Sequence, residues 1–575
     1  MAALGVNLLI FLPLLAAIVV WTLPERREGL APRIALAVGV VVFLVALPLW
    51  LATSAEGLLG QTSASWIVVG NEDVGGLRIA YHVALDAISA PLVALTGLLV
   101  PLAVWCSFTA IKHRVREYYA WILALTAGMF GVFVARDVLL FYVFFEFTLV
   151  PLYFLIGIWG GADRRYAANK FFIYTFVGSV ITFAGILYLA IRAADLTGTS
   201  VIHFDLRMLS TLTGLSAAEQ SLLFVAFFCG FAIKVPFFPL HTWLPLAHTE
   251  APTAGSVLLA GVLLKLGTYG FLRFSLPLVP AGAVHWATVM GWLAIAGIVY
   301  GALCCWVQTD VKKLVAYSSV SHLGFCMLGM FSLVPFGLSG SVLYMINHGI
   351  STGALFLVVG MIYERYHTRD MNQLGGLARK MPVMTFFLVL FVLSSIGLPG
   401  LNGFVSEFTV LFAAYNSTTL GPAYGVVGAS GILLGAIYML YMAGRVLFGP
   451  LKEPAGTPDT SAGLTTDLTR REIAILVPLA IAVVALGVFP RVITDSLDPA
   501  LDHQVMQRVT AAAAAPVAPF ASATVSGETP KHSSDRRTTP GDTRGDTIFT
   551  REDSRGLERL RGPDAGVPEL AAGGF

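Results

Sequence analysis

Fourteen predominantly apolar runs, each of about 20 residues or more, divide the chain between residues 4 and 490. Each is long enough to cross ~30 Å of hydrocarbon, where a backbone must satisfy its own polar groups by forming a helix. The runs fall near 4–23, 31–52, 84–111, 117–135, 137–159, 166–192, 220–243, 252–275, 285–306, 311–333, 338–363, 383–414, 425–449 and 472–490. Only 12% of the residues are charged, against about 25% in soluble domains, so the chain reads as an all-α polytopic protein with the bilayer as its solvent. A formal net charge of +2 gives no reason to expect a nucleic-acid partner. The five cysteines all lie in apolar runs and make no CxxC or CxxCH, so no disulfide frame, iron–sulfur site, covalent haem or other metal site is expected. Arg26 and Arg27 follow the first run rather than precede it, which predicts a retained spanning helix and not a cleaved signal.

Lysine and arginine are unequally divided among alternate connections. One set, with clusters at 26–33, 112–116, 164–170, 312–313, 365–380 and 445–471, holds nineteen. The other holds five: Arg78, Arg136, Arg192, Arg207 and Arg273. Basic loops face the cytoplasm, so both termini are expected on the opposite side of the cell inner (plasma) membrane. Helices four to eight (117–275) and nine to thirteen (285–449) form two groups of five, after an N-terminal group of three (1–111) and before a last helix (472–490). In each group of five the fourth member is broken, at KVPFFP (234–239) and at GLPGLNG (397–403). Five being odd, a second copy would insert upside down, which predicts an inverted repeat with ion sites near the midplane. From 499 to 575 the sequence turns Ala/Pro-rich and then Ser/Thr/Asp/Arg/Gly-rich, and a disordered tail is expected.

Several ionisable residues stand inside these runs. A charge at mid-bilayer costs about 2.5–3.5 kcal/mol on insertion scales, so each needs a partner or a water-filled path. Lys234 precedes Pro236 and Pro239, which cannot bond the carbonyls of Ala232 and Val235 and so break the helix beside the lysine. Glu146 lies near the centre of helix five, five residues before Pro151, and is expected to pair with Lys234. At ~4 Å such a pair interacts by about 4 kcal/mol at an effective dielectric of 20, enough to hold or release a proton as the distance changes. Lys265 lies too deep in helix eight to snorkel. His322 and His348, with Ser318, Ser319, Ser321, Asn347, Ser351 and Thr352, suggest a polar belt across helices ten and eleven, suited to a proton relay. Glu407 follows the second break. His241 and His248 lie beside the first break, either at a water entrance or as interfacial residues of a loop. Each of these residues also has a plainer reading, as a structural ion pair, a packed histidine or a brace for a broken helix.

The stretches KVPFFPLHTWLPLAHTEAPTAGS (234–256) and LLAGVLLKLGTYG (258–270) resemble the antiporter-like membrane subunits of respiratory complex I, the NADH:quinone oxidoreductase, over helices two to fourteen. That resemblance implies transmembrane proton transfer driven by quinone reduction elsewhere in the complex. It implies no redox centre in this chain, with flavin and iron–sulfur clusters in partner subunits and antiporter-like subunits as neighbours. By position it implies Glu146 and Lys234 as a coupled pair, Lys265 as the central relay, His322 and His348 as the link, and Glu407 as the terminal site. Subunits L and N and the cation/proton antiporter subunits usually carry lysine where this chain has Glu407, which sets it apart from them. The alternatives are a subunit of a multisubunit sodium/proton antiporter and, from another class, a haem b anchor using His322 and His348.

Overall fold

The computed structural model describes residues 1–71, 75–460 and 463–514. Among these, thirteen helices are long and apolar enough to cross a membrane. They are α1 (Ala2–Trp21), α2 (Glu25–Leu51), α3 (Ala90–Ala110), α4 (Val115–Val134), α5 (Val138–Trp159), α6 (Arg164–Thr197), α7 (Ala217–Lys234), α8 (Thr253–Leu278), α9 (Pro280–Trp306), α10 (Val311–Phe331), α11 (Pro335–Tyr366), α13 (Pro422–Leu447) and α14 (Arg470–Val488). The remaining run, α12, is split into Pro382–Ser395 and Asn402–Asn416. The fourteen runs of the sequence are therefore all present.

Both breaks fall where the prolines put them. The run expected to continue from 220 to 243 ends as a helix at Lys234, turns through 235–243, and resumes as a short helix, Leu244–Glu250. Chain groups take up the carbonyls left over: Ala232 O accepts Phe237 N–H at 2.8 Å and Ile233 O accepts the Trp243 indole at 2.9 Å. At the second break Gly397 has φ +73°, and a β-carbon there would run into Glu407 Oε2, so only glycine fits.

The helix expected from 84 begins at Ala90, because 75–85 is a strand. Strands β1 (Leu59–Asn71) and β2 (Gly75–Leu85) pair antiparallel, with Ser63 opposite His82 and Ile67 opposite Ile79, and β3 (Val201–His203) adds in parallel. The run WIVV (66–69) in β1 suits a pleated surface, and the hairpin is tied to α1 by Asn7, which bonds Thr62 and Tyr81. At its base a buried cluster forms. Asp86 accepts both Arg273 Nη2 contacts at 2.7 Å and lies 2.8 Å from Arg136 Nη2. Burial alone would push this carboxyl up, but the two guanidiniums hold it well below the usual carboxylate range. On the opposite side of the chain Arg365, counted among the loop charges, is fully buried against Glu472.

The expectation of a disordered tail from 499 is corrected over its first part. Residues 491–514 are helical, with Ile493, Leu497, Leu501, Val505 and Val509 buried along one stripe. That four-residue spacing marks an amphipathic face, which went unread because the segment is too polar to span. Its Gln504 accepts a hydrogen bond from Arg273 at 2.7 Å. The remainder of the expected tail, 515–575, lies outside the described residues.

Candidate functional site

α5 starts on Asp137, whose carboxylate accepts the N–H groups of Leu139 and Leu140, and it is interrupted at Thr148, three residues before Pro151. This places Glu146, half-buried, facing Ser179 of α6 with its Oε1 unpartnered. Lys234, at the broken end of α7, is buried with its Nζ donating to Thr148 Oγ1 at 3.2 Å and lying 4.8 Å from the Phe145 ring centre. Glu146 and Lys234 therefore share a site but make no contact ion pair. Thr148, which stands against the lysine, was not foreseen; a hydroxyl two residues past a buried carboxylate was the available signal.

Lys265 is 0% exposed. It follows a π turn, Leu259–Leu263, in which the ladder shifts to i→i+5, and its Nζ donates to Ala260 O within that turn. The same ammonium lies 2.6 Å from His348 Nδ1. His348 stands beside His322, with ring centres 5.6 Å apart. His322 uses both nitrogens, Nδ1 against the Tyr344 hydroxyl at 2.6 Å and Nε2 against Ser395 Oγ at 3.2 Å. Tyr344 in turn donates to Glu407 Oε1 at 2.9 Å. A row of side chains thus runs from Lys265 through His348, His322 and Tyr344 to Glu407, across α8, α11, α10 and α12.

The belt around the row is partly as expected. Asn347 donates to Asn402 O at 2.7 Å, Ser351 meets Ser394 at 2.6 Å, and Thr352 lines the small cavity beside His348 and Glu407. That cavity is about 10 Å³, room for roughly one water. Ser318 and Ser321 instead bond backbone carbonyls of Val315 and Ile298, and Ser319 Oγ has no partner, so these three lie outside the row.

His241 and His248 are both buried. His241 packs against Phe238 and Tyr300, and His248, with both ring nitrogens unpartnered, stacks on Phe356 at 4.7 Å. Beyond His248 lies a cavity of about 390 Å³ lined in part by Lys112, Glu250, Lys312, Glu364 and Arg369. Lys312, counted as a loop charge, is buried there and donates to Ala251 O at 2.5 Å and Thr249 O at 3.3 Å. No group of three or more His, Cys, Asp or Glu side chains suited to a metal occurs among the described residues.

Two broken helices and a lysine–histidine–glutamate row are thus buried together in a polytopic membrane bundle. Residues 135–422 match the NADH:quinone oxidoreductase/Mrp antiporter transmembrane family. The chain is 42% identical to NADH-quinone oxidoreductase subunit M of Rhodobacter capsulatus, over 87% of this chain and 96% of that one. It is 38% identical to NADH-ubiquinone oxidoreductase chain 4 of Marchantia polymorpha, over 86% of this chain and 96% of the relative. A chain of respiratory complex I from Thermus thermophilus superposes with a TM-score of 0.74 at 28% identity, covering 88% of this chain and all of that one. A chain of the Mrp complex from Dietzia shares the fold, with a TM-score of 0.73 at 21% identity over 88% of this chain and 99% of that one. The chain belongs to the NADH:quinone oxidoreductase/Mrp antiporter family, in the group made up of subunit M and chain 4.

Proposed function

We propose that this chain is a proton-translocating membrane subunit of an NADH:quinone oxidoreductase, carrying protons along the buried row while electrons pass to quinone elsewhere in the complex. The observation that carries the reading is the row itself: from Lys265 to Glu407, each group is in contact with or ring-adjacent to the next. Nothing about packing requires five titratable side chains to be buried in line, and burying them is costly. Lys234, resting on Thr148 within reach of Glu146, supplies the two positions that a charge-controlled step needs. Glu146, Lys234, Lys265, His322, His348 and Glu407 are accordingly the proton-transfer residues, and His241 and His248 are secondary to them.

The relatives named subunit M favour this reading over a sodium/proton antiporter subunit, to which the Mrp likeness contributes the fold alone. The chain holds no redox centre under this proposal, and flavin and iron–sulfur clusters belong to partner subunits. Its neighbours are other antiporter-like subunits and lipid, in the inner (plasma) membrane with both termini on the non-cytoplasmic side. The groups 117–275 and 285–449 are two inverted five-helix units, each contributing one broken helix.

Glu407 provides the test. Glu407→Gln keeps shape and hydrogen bonding but cannot release a proton, whereas Glu407→Lys restores a titratable group. In assembled complexes reconstituted into vesicles, glutamine should abolish pumping and lysine should retain a substantial part. If Glu407 only braces the broken helix, the order reverses: glutamine is nearly silent and lysine, a new buried cation, is the damaging change.

A further inference from the structure

His322 and Glu407 do not meet. His322 Nδ1 lies 3.9 Å from Glu407 Oε1, too far for a hydrogen bond, and the Tyr344 hydroxyl fills the gap, 2.6 Å from the nitrogen and 2.9 Å from the carboxylate oxygen. We propose that Tyr344 is itself a proton carrier, the only hydroxyl bridging the histidine link to the terminal glutamate among the described contacts. The inference rests on the proton-transfer reading given above and adds to it a group of a different chemical type.

A phenol has one proton to give and lone pairs to receive one, so it can pass a proton without being charged before or after. The step balances as follows. With His322 as imidazolium and Glu407 as carboxylate, the Nδ1–H bond breaks as its proton moves to the phenol oxygen. In the same step the phenol O–H bond breaks and a new O–H bond forms on Glu407 Oε1. His322 is left neutral with its remaining proton on Nε2, directed at Ser395 Oγ; Glu407 is left as the acid, and Tyr344 is unchanged. Reversal restores the charges. The two opposite charges disappear together, so no isolated charge is created in a buried site where it would be expensive.

Tyr344 is placed for this by packing that does not depend on its hydroxyl. It lies on α11 one helical turn before His348, is 3% exposed, and its ring stacks on Phe325 of α10 with centres 5.8 Å apart and planes within 6°. Phenylalanine would keep that stack and lose only the oxygen. Tyr344→Phe therefore isolates the proposed role from the fold.

The experiment compares Tyr344→Phe, Glu407→Gln and the double variant in full complexes reconstituted into vesicles. Proton uptake is normalised to electron transfer from NADH to an artificial acceptor, which counts assembled enzyme. If the hydroxyl is the carrier, Tyr344→Phe loses pumping to the level left by Glu407→Gln, and the double variant is no worse than either, because both changes cut one wire. Near wild-type pumping by Tyr344→Phe beside a damaged Glu407→Gln overturns the tyrosine's role and leaves the rest of the row standing. Losses that add in the double variant also overturn it, since they assign the two side chains independent effects. A silent Glu407→Gln removes the terminal site, and the tyrosine step falls with it.

Discussion

Thr148 offers a quantitative test of how the lysine at the first break is controlled. Its hydroxyl accepts from Lys234 Nζ at 3.2 Å and donates to Phe145 O at 2.8 Å, so its lone pair is aimed at the ammonium by a bond on its other side. Among the described residues Nζ has no other contact beyond this hydroxyl and the Phe145 ring, while the Glu146 carboxyl keeps an unpartnered oxygen. Thr148→Val keeps the branched shape and deletes the acceptor. A hydrogen bond to a charged group is worth about 1.5–3 kcal/mol, so the balance between the parked lysine and the lysine drawn to Glu146 should move roughly 10- to 150-fold toward the carboxyl. A lysine held by Glu146 gives up its proton less readily, so NADH:quinone turnover and pumping should both fall. Thr148→Ser, which restores the acceptor, should recover them. The assay is turnover and proton uptake in vesicles for the three proteins at matched assembly. Equal activity of the valine and wild-type proteins would refute the parked position as a working state. Equal damage from serine and valine would show that packing, not the hydroxyl, is what matters there.

Asp86→Asn leaves Arg136 and Arg273 buried without their counter-ion, and breaking such a pair typically costs about 3–5 kcal/mol, so the complex should assemble less or lose thermal stability, measured by melting of the solubilised enzyme. Because the carboxyl is held below its ordinary value of about 3.9, its contribution is fully present above that pH and is lost only on further acidification; wild-type stability should show no loss from this cluster between pH 7 and 5. Truncation before Arg491 removes the apolar stripe at Ile493–Val509 and the Gln504 contact and should impair assembly, whereas truncation after Ala514 should leave pumping unchanged; blue-native gels and proton uptake read the two outcomes.

Runs of apolar residues and prolines carried most of the architecture into view. A bilayer permits one backbone solution, so counting runs finds helices, and a missing amide proton at Pro236 or Pro399 reports a break directly. The hairpin and the terminal amphipathic helix escaped because they lie outside that constraint: their stability comes from contacts with α1, α8 and other distant elements, which no local pattern records. The cost of burying charge singled out Lys234 and Glu407 beside the two breaks and Lys265, His322 and His348 in the row, with Glu146 on α5 facing the Lys234 site. Tyr344 and Thr148 did not, because a tyrosine or threonine in a membrane helix is unremarkable until its neighbours are known. The same blindness made Lys312 and Arg365 look like loop charges when they are buried at helix ends.

Helix α8 contains two π turns, Leu259–Leu263 before Lys265 and Phe271–Ser275 around Arg273. Each behaves as one extra residue in the winding, so everything beyond it is rotated by about 100° relative to an uninterrupted α-helix. Lys265 therefore owes its bearing to the first insertion, and so does Arg273, which lies within the second. Deleting a single residue from 259–263 would keep the composition, the hydropathy and the length of the span almost intact, yet turn the lysine away from His348 and the arginine away from Asp86 together. Such a chain would still insert, with a helix of the right kind pointing its charges at the wrong neighbours. In this protein the phase of a helix is as much a functional quantity as the residues on it.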